Sequence, residues 1–128
     1  MLLLDIDHFK RVNDSWGHDA GDEALRRVAG VLRDSSRSED LACRSGGEEF
    51  VLLLPGTNLE AARSIAERIR ETVAGTLIPQ VGKVTVSIGV AVGGRTSLSS
   101  DAVLKQADQR LYSAKQTGRN RVVSNDDT

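Results

Sequence analysis

Cysteine, net charge and long apolar runs are all scarce in this chain of 128 residues. The lone Cys43 allows no disulfide and has no metal-ligand spacing, so we interpret it as a small buried hydrophobic residue. A formal net charge of −1 argues against general nucleic-acid binding. The apolar residues 1–4 are followed by Asp5 and Asp7, so the run is too short for a signal peptide or a membrane span. We therefore predict a cytoplasmic protein with no membrane segment.

No internal repeat and no low-complexity tract interrupts the chain, and its length suits a single folded domain. Hydrophobic residues make up 39% and charged residues 27%, as in globular proteins. We predict a domain over residues 1–124 and a polar tail over residues 125–128. Strand-like and helix-like segments alternate, which favours an α/β (α+β) fold with a mostly antiparallel central sheet flanked by helices.

The first third of the chain predicts one strand and two helices. Residues 2–6 form a continuous apolar run, typical of a strand buried on both faces. Residues 7–14 are predicted as a short helix with Asp7 as its N-cap, followed by a turn over residues 17–21. A longer helix follows, with an apolar stripe at Leu25, Val28, Ala29 and Leu32.

The last two thirds predict a hairpin, described below, and four further elements. Thr57 and Glu60 have capping-box spacing at the start of a helix. Over residues 84–92 branched residues alternate with small ones, so we expect a strand whose small face lies under a helix. The remaining elements are a helix that starts at residues 99–101 and stops before Gly118, and an edge strand over residues 121–123.

A Gly46-Gly47 step followed by two adjacent acids is the most informative local feature. It lies between two short apolar runs, so it predicts a hairpin tip at which the glycines supply positive φ angles. Glu48 and Glu49 repel each other there, which a bound cation would relieve. A solvated acidic turn remains the alternative interpretation.

The hairpin is expected to lie beside the first strand of the sheet. Asp5, at the end of that strand, would then lie near Glu48, although the two residues are far apart in sequence. Magnesium prefers oxygen ligands and usually takes only one or two protein carboxylates. The pair therefore predicts a divalent-cation site.

With these residues in place, the chain resembles the GGDEF domain of diguanylate cyclases, in the variant whose signature ends Gly-Gly-Glu-Glu-Phe. The resemblance implies a palm-like nucleotidyl-cyclase fold that condenses two GTP into cyclic di-GMP and two pyrophosphates. It runs through several separated motifs: Asp5-Ile6-Asp7-His8-Phe9-Lys10, Asn13-Asp14, Gly17-His18-Asp19-Ala20-Gly21-Asp22, Gly46-Gly47-Glu48-Glu49-Phe50, Val86-Ser87-Ile88-Gly89-Val90, Ala107-Asp108, Leu111-Tyr112, Ala114-Lys115 and Gly118-Arg119-Asn120.

The resemblance also implies a metal site with two Mg²⁺ or Mn²⁺ ions. Its ligands would be Asp5, the backbone carbonyl of Ile6, and Glu48. Either Glu48 or Glu49 would receive the proton of the attacking hydroxyl, and the sequence leaves the choice open. As a family-independent alternative, Asp5 is a turn residue that ends a strand.

For the substrate, the resemblance implies guanine contacts at Asn13 and Asp22, whose side chains supply donors and acceptors. Their alternative roles are to end a helix and to favour a helix dipole. Phosphate contacts would come from the backbone of Phe9 and Lys10 and from the side chains of Lys115 and Arg119, which we expect one helical turn apart. Lys115 and Arg119 are equally typical of cations near a helix C-terminus.

An Arg-x-x-Asp pattern at Arg37 and Asp40 resembles the site through which family members bind cyclic di-GMP as an inhibitor, with Arg68 as a secondary arginine. The resemblance also implies catalysis in a homodimer and an upstream sensory or regulatory domain. The family's preceding helical segment is missing here, so we expect a truncated domain.

Two functions from different classes remain open from the sequence. The first is a working cyclase, favoured by the intact acids, and the second is a catalytically silent module that binds cyclic di-GMP or GTP as a sensor. A P-loop GTPase is disfavoured because no Gly-Lys-Ser/Thr follows the glycine step.

Overall fold

The computed structural model describes residues 1–93 and 100–125 of the chain, with no side-chain detail at Ser100. Within them it has five strands and four helices. In chain order these are β1 (Leu2–Ile6), α1 (Phe9–Trp16), α2 (His18–Ser35), β2 (Leu41–Gly46), β3 (Glu49–Leu53), α3 (Leu59–Ala74), β4 (Val86–Val90), α4 (Ser100–Gln116) and β5 (Arg121–Val123).

The strands form one sheet in the order β2-β3-β1-β4-β5. β1 lies at the centre, antiparallel to both β3 and β4, and only the β4–β5 pair is parallel. This confirms the predicted mixed fold with a mostly antiparallel sheet. The hairpin of β2 and β3 does lie beside β1, and Asp5 is directly opposite Glu49 in the register.

One face of the sheet carries the main hydrophobic core. Leu2, Leu4 and Ile6 of β1 point to this face, where side chains of α2 and α3 cover them. The apolar stripe predicted for α2 is buried at Leu25, Val28 and Leu32. Burial on this scale is the dominant stabilising contribution to a domain of this size.

The opposite face is covered by α4, and here the sheet approaches the helix closely. A Cβ atom at Gly89 would lie 2.2 Å from the carbonyl oxygen of Ala107 and 2.3 Å from the backbone nitrogen of Leu111. The expectation that the small face of β4 lies under a helix is therefore confirmed. Leu3 and Ala91 complete a smaller core between β1, β4 and α4.

Three of the predicted helix starts are wrong. Asp7 does not cap α1, because the N-cap residue is His8, which makes no side-chain capping bond. The predicted turn over residues 17–21 reduces to Gly17 at φ 89°, since α2 already begins at His18. Asn58 rather than Thr57 caps α3, and its side chain accepts a hydrogen bond from the Ala61 amide.

The hairpin and its edge strand also differ from the prediction. Neither Gly46 nor Gly47 has a positive φ, and the β2–β3 pairing shifts register between Arg44 and Gly46. Cys43 is exposed rather than buried. It lies on the edge strand β2, on the face of the sheet that α4 packs against. Because α4 contacts β1, β4 and β5, it does not cover Cys43.

The last elements largely follow the prediction. β4 is shorter than residues 84–92, since β1, its antiparallel partner, ends at Ile6. α4 includes Ser100 and Asp101, whereas Ser99 and residues 126–128 of the predicted tail lie outside the described residues. β5 is an edge strand as predicted. No helix in the described ranges is long and apolar enough to span a membrane.

Candidate active site

Asp5 is a buried carboxylate on the central strand. Its Oδ2 atom forms an ion pair with Nζ of Lys115 from α4, 110 residues away in sequence. Burial raises the pKa of Asp5 above its usual range, and the hydrogen bond and positive charge of Lys115 oppose that rise. The negative charges of Glu48 and Glu49 add to the rise. Asp5 thus lies within electrostatic reach of both hairpin acids.

The hairpin brings its acids to the same end of the sheet as Asp5. The amide of Ile6 donates a hydrogen bond to the carbonyl oxygen of Glu48 at 3.3 Å. Glu49, opposite Asp5 in the register, shares its face of the sheet, and its Oε1 atom accepts from Ser45 Oγ at 2.9 Å. The convergence expected from the sequence is present.

The residues at this end of β1 fit a divalent cation. Oδ1 of Asp5 is buried and has no hydrogen-bond partner among the described residues. A buried carboxylate oxygen without a partner destabilises the folded state unless a ligand, such as a cation, binds to it. The described residues hold no group of three or more His, Cys, Asp or Glu side chains that could bind a metal. The predicted ligand set does not require three such side chains, because it consists of two carboxylates, Asp5 and Glu48, and the backbone carbonyl of Ile6.

Where α1 packs against α2, Asn13 lies against Gly21, the residue that precedes Asp22. Gly21 allows the close approach, since a Cβ atom there would lie 1.8 Å from Oδ1 of Asn13 and 3.3 Å from Cζ of Phe9. Asp22 follows Gly21 directly, is exposed, and lines a cleft of about 500 Å³ between α2 and the β2–β3 hairpin. Gly21 was predicted as part of a turn, and its actual role is to let the two helices touch.

Phe9 and Lys10 form the first turn of α1, directly after β1. The N-cap residue His8 makes no side-chain capping bond, so among the described residues that cap leaves the first amides of the helix open to an anion. Arg119 lies beyond the end of α4 at φ 63°, so the expected one-turn spacing from Lys115 on a helix is wrong. The amide of Arg119 donates to the carbonyl oxygen of Ala114 at 2.9 Å and folds the chain back after the helix.

A second cleft, between the C-terminal end of α2 and the first turns of α3, is lined by two of the three predicted inhibitory residues. Arg37 and Arg68 both line this cleft of about 350 Å³, together with residues at the start of α3. The Arg37 guanidinium bonds to Thr57 Oγ1 at 2.9 Å and pairs with Asp40 at 3.3 Å. The Asp40 side chain is only 1% exposed and so holds Arg37 in place.

The sequence interpretation missed a buried polar network centred on Asp7. This buried carboxylate accepts hydrogen bonds from Thr85, Ser87 and the backbone of Asn120. Two of these donors, Thr85 and Ser87, lie just before and within β4. Their hydroxyl groups on the small face of a predicted strand were the sequence signal for a buried acceptor.

Comparisons with known proteins agree with this geometry. The family model described as "Diguanylate cyclase, GGDEF domain" matches residues 1–121. Among curated proteins, the chain is 45% identical to a "Probable diguanylate cyclase DgcT" of Escherichia coli, covering 98% of this chain and 29% of that protein. It is 48% identical to the response regulator PleD of Caulobacter vibrioides, covering 95% of this chain and 28% of that protein. The chain thus spans under a third of these relatives.

Solved structures give the same answer. The GGDEF domain of DgcB from Caulobacter crescentus, in complex with c-di-GMP, superposes with a TM-score of 0.90 at 38% identity, covering 95% of this chain and 74% of that one. The active GGEEF domain of a diguanylate cyclase from Vibrio cholerae superposes with a TM-score of 0.91 at 34% identity, covering 98% and 82%. The chain belongs to the GGDEF domain family of diguanylate cyclases, and its fold is the palm-like fold of that family.

Proposed function

We propose that this domain is a diguanylate cyclase that joins two GTP into cyclic di-GMP and releases two pyrophosphates. The observation that carries the proposal is the buried, unpartnered Oδ1 of Asp5 at the end of β1 where the acids of the hairpin converge. A structural aspartate at a strand end would satisfy both oxygens with nearby amides. Asp5 instead keeps one oxygen for a ligand.

Asp5, the Ile6 carbonyl and Glu48 are the proposed ligands of two Mg²⁺ or Mn²⁺ ions. When bound, a divalent cation would neutralise charge on the α-phosphoryl group and pyrophosphate and lower the pKa of the attacking 3′-hydroxyl. Lys115 pairs with Asp5 in this structure, and it would move to a phosphate once a cation takes over that role. Glu48 and Glu49 are the two candidates for accepting the hydroxyl proton.

The substrate would lie across the N-terminus of α1. Backbone amides of Phe9 and Lys10 and the cations of Lys115 and Arg119 would hold the triphosphate. Asn13 and Asp22 would read the guanine edge, and the contact of Asn13 with Gly21, the residue before Asp22, supports this assignment. An aspartate that accepts from guanine N–H groups disfavours adenine, which offers a different pattern.

One domain holds one GTP, so two domains must face each other across a two-fold axis for the 3′-hydroxyl of one substrate to reach the α-phosphate of the other. Activity should therefore rise more steeply than linearly with protein concentration until the dimer is populated. In the proposed full-length protein, an upstream domain would control that pairing.

We further propose that the product, cyclic di-GMP, inhibits the enzyme by binding at the cleft near Arg37. Arg37 and Arg68 line one cleft and could together bind the phosphates and stack on the guanines of cyclic di-GMP. Asp40 would orient Arg37 through the pair that already exists. Replacing Arg37 by Ala should leave the initial rate unchanged and raise the product concentration needed for half inhibition about tenfold or more.

The test incubates the chain with GTP and Mg²⁺ and measures cyclic di-GMP, at several protein concentrations. Glu48→Gln should lose the activity, whereas Glu71→Gln, a matched change at a well-exposed position of α3, should retain it. Equal product from both variants would overturn the assignment of Glu48. GTP or cyclic di-GMP binding without turnover by the unmodified chain would favour a sensor instead.

A further inference from the structure

Asp7 is a buried carboxylate whose two oxygens accept hydrogen bonds from two distant parts of the chain, residues 85–87 and residue 120. Its Oδ1 atom accepts from Ser87 Oγ at 2.6 Å, and its Oδ2 atom accepts from Thr85 Oγ1 at 2.7 Å and from the Asn120 amide at 3.0 Å. Its own amide donates to the carbonyl oxygen of Thr85 at 2.9 Å. Both carboxylate oxygens of Asp7 therefore accept hydrogen bonds from other residues of the chain, in contrast to Oδ1 of Asp5.

The Asn120 contact is the one that matters for the site. Gly118, Arg119 and Asn120 have φ values of 131°, 63° and 46°, three successive residues in the left-handed region. Such backbone is unfavourable for Arg119 and Asn120, which have a Cβ atom, and it persists only when surrounding contacts hold it. The turn therefore depends on the residues that bind it.

Several contacts from outside the turn supply that support. The Arg119 amide donates to the carbonyl oxygen of Ala114, Arg121 Nε donates to the carbonyl oxygen of Arg119, and two further bonds reach Asn120. Asp7 binds the Asn120 amide, and Arg70 of α3 donates from Nη1 to Oδ1 of Asn120 at 3.0 Å. Arg70 is itself paired with Glu67 at 3.0 Å. Asp7, which directly follows β1, and Arg70 of α3 thus bind Asn120 from two sides, and of these two residues only Asp7 adjoins the proposed metal ligands.

We propose that Asp7 is a positioning residue that fixes the turn over residues 118–120 and so places Arg119 against the phosphates of the substrate. The inference rests on the proposed function, because it uses the GTP site defined there. Asp5 and Asp7 then have separate roles two residues apart. Asp5 keeps an oxygen for a ligand, whereas Asp7 joins the ligand-bearing end of β1 to the turn that carries a phosphate-binding cation.

The test compares three variants of the chain for binding of a non-hydrolysable GTP analogue with Mg²⁺, measured by calorimetry. Asp7→Ala should weaken binding about tenfold or more, the loss expected for one contact to a charged phosphate. Asp7→Asn should restore most of the affinity, because its amide oxygen can still accept from the Asn120 N–H. Thr85→Val should change affinity little, since it removes a donor from the same oxygen but leaves the turn bound.

A second readout follows the turn directly. The amide proton of Asn120 should move upfield in the NMR spectrum of Asp7→Ala and exchange faster with solvent, while amides of α3 stay unchanged. In a double-mutant cycle, adding Arg119→Ala to Asp7→Ala should cost little further affinity, whereas a merely structural Asp7 would give additive losses. If Asp7→Ala does not fold, Asp7→Ser replaces it, since its hydroxyl is too short to reach the turn.

Besides additive losses in the double-mutant cycle, either of two results would overturn the proposal. Asp7→Asn binding as weakly as Asp7→Ala would mean that the carboxylate charge itself is required. An unchanged Asn120 amide in Asp7→Ala would mean that the turn does not depend on Asp7. Failure of the unmodified chain to bind the analogue would overturn the proposed function instead, and the NMR comparison would still decide whether Asp7 holds the turn.

Discussion

The two faces of this sheet bury different kinds of side chain. The face under α2 and α3 is lined by apolar residues such as Leu4, Leu52 and Ile88, all fully buried. The face under α4 holds a smaller apolar cluster and the buried polar side chains of the described sheet region, Asp5, Asp7 and Ser87. Strand alternation explains the division, since neighbouring residues of β1 point to opposite faces.

The difference shows how one short strand can serve both stability and chemistry. Leu4 and Ile6 pack in the main core and so hold β1 in place. Asp5 lies between them and points to the other face, so its backbone position is fixed by the same packing. A metal site built on a central strand is held more firmly than one built on a loop. The faces should therefore respond differently to mutation.

Asp5→Asn should have the largest effect, and it should lower activity without lowering stability. Cyclase activity should fall by on the order of 10³-fold, about 4 kcal/mol of transition-state stabilisation, because an amide is a poor Mg²⁺ ligand and carries no charge. The thermal midpoint should not fall. Initial rates of cyclic di-GMP formation and a melting curve check both, with Asp34→Asn on the exposed side of α2 as the matched control. Retained activity would remove Asp5 from the metal site.

Leu52→Ala should do the reverse. It removes a fully buried side chain opposite Leu2 on the apolar face, so the free energy of unfolding should drop by about 3 kcal/mol. Below its melting temperature the variant should keep the KM for GTP. Urea unfolding and steady-state kinetics test this. A large change in KM without loss of stability would mean that the two faces are not separate in function.

Gly89→Ala should disturb the packing of α4 on the sheet. The new methyl group would meet backbone atoms of Ala107 and Leu111, which cannot rotate away, so we expect a loss of about 2 kcal/mol. Gly30→Ala in the middle of α2 is the matched control, because its Cβ has only the end of Arg33 within 4 Å. That control should gain about 1 kcal/mol from helix propensity. Equal effects of the two changes on urea midpoints would contradict the close contact.

The smallest effect concerns pH in the absence of metal. Burial raises the pKa of Asp5, so between the ordinary carboxyl range and that raised value the folded protein binds a proton that the unfolded chain releases. The contribution of Asp5 to the free energy of unfolding therefore falls as pH rises through this window. Compared with Asp5→Asn, the unmodified chain should lose stability from acidic to neutral pH. The opposite trend would mean that Lys115 outweighs burial.

The sequence predicts most of what depends on local pattern. The continuous apolar run of β1, the alternation in β4 and the glycine step with its two acids were enough to place the sheet and to bring Asp5 near the hairpin. The family resemblance then supplied roles for individual residues, such as Asn13 and Lys115, which spacing alone leaves ambiguous.

The predictions that failed depend on contacts between distant parts of the chain. Asp7 was interpreted as a helix cap because capping is decided within four residues, whereas its actual donors lie 78 to 113 residues away. Cys43 was expected to be buried, and its exposure follows from an edge position that only the strand order reveals. Arg119 was expected one helical turn from Lys115, but α4 ends at Gln116 and a turn with positive φ angles follows.

The most direct test of the account is anomalous diffraction from crystals of the chain grown with Mn²⁺ and a non-hydrolysable GTP analogue. We predict an anomalous peak within about 2.2 Å of Oδ1 of Asp5 and in contact with Glu48 and the Ile6 carbonyl, with Lys115 moved to a phosphate. A peak elsewhere, with Asp5 still bound only to Lys115, would contradict the central claim that Asp5 and the hairpin acids share one cation site.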